Sequence, residues 1–162
     1  MNWTEAIAQW LHVLFGTFWF GGMLFSNLVV IPAIMRLSAD GQREFVKSLA
    51  EQAGRVVPLM AGGAIVLGII RGTILGDIKS VDDLGTTYGI EWIVGLVAAL
   101  ATFAWGTWVL QPSAERLNTE PGANPADQAA RVARVRMLAM LELLGFFVIF
   151  TTMILMHYAG EA

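Results

Sequence analysis

Stretches without a single Asp, Glu, Lys or Arg divide the chain at residues 6–35, 56–70, 92–114 and 143–160. Between them, charged and turn-forming residues cluster. A helix of about 20 apolar residues crosses the roughly 30 Å hydrocarbon core of a bilayer. Only a helix satisfies its own backbone donors and acceptors there without neighbouring strands. The pattern predicts spans near 6–35, 55–76, 90–112 and 133–159. The expected fold is all-α, an integral membrane four-helix bundle of up-down-up-down topology, with one domain over residues 1–162.

Composition strengthens the membrane assignment. Of the 162 residues 56% are apolar and 14% are charged, against about 25% charged in ordinary soluble domains. The net charge of −3 and the lack of a basic cluster argue against nucleic acid as a partner. There is no Cys, so disulfides, thiolate metal sites and cysteine catalysis are excluded. The first apolar stretch lacks a basic leader and exceeds the h-region of a signal peptide, so it is expected to persist as the first helix. Eight of the ten basic residues fall in the connections at 36–55 and 115–136. The positive-inside rule therefore puts those connections in the cytoplasm and both termini outside.

The connections carry their own signals. Residues 38–55, opening on Ser38 and carrying Phe45, Val46 and Leu49 among charges, read as an interfacial helix or as an extension of the second span. Pro58 marks a kink, or a helix that begins in the preceding connection. Residues 117–128, with Pro121 and Gly122, read as a loop, and Asn124, Pro125 and Asp127 as a cap, first-turn proline and favourable acid starting the fourth helix. A faint repeat relates Pro32-x-x-x-Arg36-Leu37 to Pro112-x-x-x-Arg116-Leu117, 80 positions later. It reflects either two related hairpins or a common way for helices to leave a membrane.

Two histidines, His12 and His157, lie inside predicted spans, near ends that the topology brings to the same side. His12 shares a helical face with Gly16, Trp19, Met23 and Asn27, and His157 shares one with Met153, Phe150, Phe146 and Glu142. With opposite helix directions, Asn27 and Glu142 are expected at matching depth, about 22 Å below the histidines at ~1.5 Å per residue. Two imidazoles at one level could hold haem b through its axial positions. Gly16 leaves room beside the ring, Trp19, Phe146 and Phe150 supply walls, and Arg71 is the candidate propionate partner. A membrane arginine needs an anion or an aqueous setting.

Copper is the rival. Met153, Met156 and His157 form M-x-x-M-H, and with His12 they offer soft sulfur and imidazole ligands to Cu(I). Methionine is equally an adaptable filler, and each histidine could instead be an interfacial residue bonded to a neighbour. Glu142, the acid inside the fourth span, marks a candidate proton relay or ion site, or a protonated carboxyl bonded to Asn27 or a backbone carbonyl. Glu91 could neutralise Arg71. Gly68-x-x-x-Gly72-x-x-x-Gly76 reads as a packing ridge, within the bundle or between the protomers of a homodimer, and Trp3, Trp10, Trp92 and Trp108 as interfacial anchors.

Leu11-His12, Trp19-Phe20-Gly21-Gly22 and Val29-Val30-Ile31-Pro32 together resemble the opening helix of the CopD-like (copper-resistance D) membrane proteins. They resemble more loosely the four-helix membrane protoporphyrinogen oxidases, which are associated with haem. The likeness covers residues 11–33. It implies a bacterial plasma-membrane bundle concerned with copper uptake or with haem and electron transfer, with His12 functional and Trp19, Gly21 and Gly22 as its motif partners. The leading expectation is a haem b protein, a membrane oxidoreductase exchanging electrons with a quinol or another redox partner. Copper handling, or a non-catalytic membrane subunit in which the same residues only pack, are the alternatives.

Overall fold

A computed structural model describes residues 2–119 and 124–159. It is helical, with no strand among the described residues. Helix α1 (Trp3–Phe25) passes through a π-helical turn (Ser26–Val30) into α2 (Ile31–Ile34). The single helix α3 (Ala39–Gly72) follows, then a 3-10 turn (Asp82–Gly85). Helix α4 (Thr87–Trp105) continues through a second π-helical turn (Gly106–Leu110) into α5 (Gln111–Thr119), and α6 (Pro125–Ala159) closes the chain. Four continuous stretches, Trp3–Ile34, Asp40–Gly72, Thr87–Arg116 and Ala126–Tyr158, are long and apolar enough to cross a membrane. This is the pattern of a multi-pass membrane protein.

Local chemistry explains the ends. Asn2 caps α1 by accepting from the Thr4 amide, and Ser38 caps α3 by accepting from Gly41. The charged 38–55 connection is thus an extension of α3, which runs through Pro58 without a break. Asn124 Oδ1 accepts from the Asp127 amide at 2.9 Å, the expected cap, and Asp127 pairs with Arg131 one turn later at 3.2 Å. The loop expected over 117–128 is shorter on its first side, because α5 extends to Thr119. Pro121 and Gly122 lie outside the described residues.

The two π-turns have a common cause. Ile31 N–H donates to Ser26 and Gln111 N–H to Gly106, each five residues back, and the next residues are Pro32 and Pro112. Proline has no N–H, and its ring presses on the carbonyl four residues earlier. A turn widened by one residue relieves that conflict. Positions 26–32 and 106–112 correspond residue for residue at the 80-residue offset of the faint repeat, so the repeat extends to backbone geometry.

Packing follows two hairpins. Phe15 fills the notch at Gly63, between α1 and α3, and Thr102 fills the notch at Gly145, between α4 and α6. Trp19, Ala61, Leu143, Phe146 and Ile149 form the buried core where the hairpins meet. Trp19 meets Phe146 edge-on at 4.8 Å, and Phe20 meets Phe150 at 4.8 Å. Trp3, Trp10 and Trp108 stay exposed on the outer faces, as interfacial anchors would.

The connection between α3 and α4 is tied by its own side chains. Lys79 Nζ donates to the carbonyls of Thr73 and Ile74, at the end of α3. Asp83 Oδ2 accepts from the amides of Lys79 (2.8 Å) and Ser80 (2.6 Å) and from Ser80 Oγ (3.0 Å). These hydrogen bonds hold the Asp83 carboxyl below the ordinary aspartate range. The stabilisation is therefore complete above about pH 4, the unfolded aspartate value, and is lost as pH falls through the lower folded value. Hydrogen exchange of the Lys79 and Ser80 amides should stay protected from neutral pH to about pH 4 and lose protection as the medium is acidified further. In Asp83→Asn that dependence should vanish.

Candidate functional site

Both histidines face one cavity between the hairpins, with a volume of about 640 Å³. The residues expected to form a cofactor site line it together: His12, Gly16 and Trp19 from α1, Arg71 from α3, and Met153, Met156 and His157 from α6. The volume lies within the roughly 300–1,000 Å³ of small-molecule and cofactor pockets. Its deeper wall is aromatic, with Trp19, Phe20, Phe146 and Phe150. Toward the helix ends it becomes polar, adding Gln9, Asp77 and Tyr88.

His12 is positioned by a specific contact. Its Nδ1 lies 2.8 Å from the Ala64 carbonyl oxygen on α3. A carbonyl can only accept, so Nδ1 carries the hydrogen and Nε2 keeps its lone pair. This is the arrangement by which a backbone carbonyl orients a metal-ligating imidazole. Gly68 makes it possible, because a Cβ there would lie 3.1 Å from His12 Cε1. His157 lies on the same cavity, is exposed, and packs edge-on against Tyr158 at 5.6 Å.

Arg71 is half-buried at the cavity wall and, among the described residues, makes no hydrogen bond or ion pair. The anticipated pairing with Glu91 is absent. A guanidinium at a cavity wall that pairs with no carboxylate, although Asp77 lines the same cavity, leaves its donors available to an anionic ligand group.

Two other expectations change. The Gly68–Gly72 ridge does not receive a helix backbone. Its notches hold rings: His12 against Gly68, and the Trp92 indole against Gly72, where a methyl group would collide with Nε1. Trp92 Nε1 donates to the Gly68 carbonyl at 3.3 Å, so Trp92 is a wall of the cavity and not an interfacial anchor. Trp92 stands 80 positions after His12, and that correspondence was the available signal for it.

The deeper polar layer also differs. Asn27 lies within the first π-turn and donates to the Met23 carbonyl of its own helix at 2.9 Å. Glu142, 4% exposed, lies against the second π-turn, where a Cβ on Gly106 would collide with its Oε1. No hydrogen bond joins Asn27 and Glu142, and Glu142 Oε2 has no partner at all. Among the described residues, no three His, Asp or Glu side chains are grouped closely enough to hold a metal ion. A metal in the cavity would therefore need imidazole with methionine, or a macrocycle that brings its own donors. Comparison with known proteins finds no matching family, no matching curated protein and no matching solved structure.

Proposed function

We propose that this chain is a haem b-binding protein of a bacterial plasma membrane, an up-down-up-down bundle with both termini outside, whose cavity between the hairpins is the cofactor site. The observation that carries the reading is the His12 ring, fixed through Nδ1 on Ala64 with Nε2 free, in a cavity shared with His157 and an unpartnered Arg71. The contacts Phe15–Gly63 and His12–Gly68, then Gly95–Thr152 and Thr102–Gly145, pair rising with falling residue numbers and support the antiparallel topology.

The residues present fit an amphipathic, anionic macrocycle. His12 and His157 would hold the iron, Arg71 would bind the propionates, and Trp19, Phe146 and Phe150 would surround the ring. Bound there, haem supplies reversible one-electron chemistry, which suits exchange with a quinol or another redox partner. The protein's part is to keep His12 oriented, to surround the macrocycle with the aromatic wall, and to balance anionic charge with Arg71.

Met153 and Met156 on the same wall favour a second reading, a copper site shared with His12 and His157. The visible spectrum of the purified protein, oxidised and then reduced with dithionite, distinguishes the two. A Soret band with sharp reduced α and β bands is expected. A colourless protein with stoichiometric copper would overturn haem in favour of copper, and a folded protein with neither would overturn both and leave a structural subunit.

A further inference from the structure

The buried polar or charged side chains among the described residues are Thr102, Glu142 and Thr152, each about 5% exposed or less. All three lie on one interface, between α4 with its π-turn and α6. Each faces a glycine on the opposing helix: Glu142 faces Gly106, Thr102 faces Gly145 and Thr152 faces Gly95. Without a Cβ at those positions, each polar group sits directly against the neighbouring backbone. Thr152 also lines the cavity between the hairpins. The seam thus leads from a buried carboxyl at the π-turn to the cavity wall.

Glu142 has nothing to neutralise an ionised form. The runs 6–35, 56–70 and 92–114 within the surrounding spans contain no charged side chain, Glu142 makes no ion pair among the described residues, and its Oε2 has no hydrogen-bond partner. An isolated carboxylate in such surroundings is prohibitively costly, whereas a carboxylic acid is tolerable.

We propose that Glu142, Thr102 and Thr152 form a proton route along the α4–α6 seam, with Glu142 as the proton-binding end and the inter-hairpin cavity as its mouth. Hydroxyls both donate and accept, so threonines can pass a proton without becoming charged. From Glu142 to Thr152 is ten residues of α6, about 15 Å at ~1.5 Å per residue, and Thr102 divides that distance unequally. Water entering from the cavity completes the longer step, between Thr102 and Thr152. The route does not depend on which cofactor fills the cavity, since its mouth needs only water.

Infrared spectroscopy of the protein reconstituted in lipid vesicles tests this. The wild type should show a protonated-carboxyl C=O band that disappears in Glu142→Gln and shifts in Glu142→Asp. After transfer to D2O, that band should shift at least about tenfold more slowly in Thr102→Val and in Thr152→Val, and Thr→Ser at either position should restore the rate. Helical circular dichroism matched to wild type identifies the folded variants to compare. A C=O region identical in wild type and Glu142→Gln would overturn the proton site, and valine variants exchanging as fast as wild type would overturn the route.

Discussion

His12→Ala is expected to give a folded protein that carries no haem. The imidazole is half-buried, and its loss removes one hydrogen bond, Nδ1 to the Ala64 carbonyl. A typical hydrogen bond contributes only about 0.5–1.5 kcal/mol, so the bundle should survive. The effect on the cofactor is of a different order, because the Nδ1 contact with Ala64 holds Nε2 in a fixed direction. The Soret band should therefore vanish from His12→Ala. Arg71→Gln should retain the chromophore but bind it more weakly. A hydrogen bond to a charged group contributes about 1.5–3 kcal/mol, which corresponds to roughly 10- to 150-fold in affinity. The measurement is haem titration of purified apoprotein followed at the Soret wavelength. Equal affinities for wild type and His12→Ala would sink the axial assignment, and an unchanged Arg71→Gln would remove the propionate role alone.

Helical spacing in the sequence placed residues on the wall of this cavity but could not follow the layer below it, for a physical reason. From His12 to Met23 the chain is regular α-helix, so counting in steps of 3.6 residues placed Gly16 and Trp19 on the cavity face, where they lie. Asn27 falls inside the π-turn Ser26–Val30. One inserted residue rotates the later part of the helix by about 100° relative to an ideal α-helix, so Asn27 could not be placed by the same count. Glu142 lies on a regular helix but faces the second π-turn, which the count could not foresee either. The cues were Pro32 and Pro112, legible as repeat markers but not as widened turns. The glycine ridge packs within the bundle, one of its two expected uses, but what packs against it was not legible. A missing Cβ shows that something approaches closely, and only tertiary structure shows that the visitors are His12 and Trp92. The four spans were legible because in lipid the absence of charge is itself the signal. The long start of α3 left two readings open because it is amphipathic and charged, and its helicity depends on continuity with the span.

Gly89→Ala should be strongly destabilising for the addition of a single methyl group. Gly89 stands in the first turn of α4, and its amide donates to Thr86 Oγ1 at 3.0 Å. The same hydroxyl donates to the Asp83 carbonyl oxygen at 2.7 Å, and the Thr86 amide donates to that oxygen at 3.2 Å. A Cβ on Gly89 would collide with this carbonyl oxygen and with Leu84 Cα. These are backbone atoms held in place by two hydrogen bonds and by the Asp83 carboxylate anchoring Lys79 and Ser80, so they cannot retreat as a side-chain tip could. Either the cap of α4 opens or the 3-10 turn is displaced. Overpacking of this kind costs about 3 kcal/mol, at the upper end of the usual range. For a chain of this length that corresponds to a fall of roughly 6–12 °C in midpoint, measured by thermal unfolding in detergent followed by circular dichroism. Gly85→Ala is the matched control. It lies in the same turn with nothing within 4 Å of an added Cβ and without a left-handed backbone conformation, so its midpoint should be unchanged or slightly raised. Because Tyr88 and Trp92, which line the cavity, stand in the first turns of α4, the displacement in Gly89→Ala should also weaken haem binding, whereas Gly85→Ala should leave it intact.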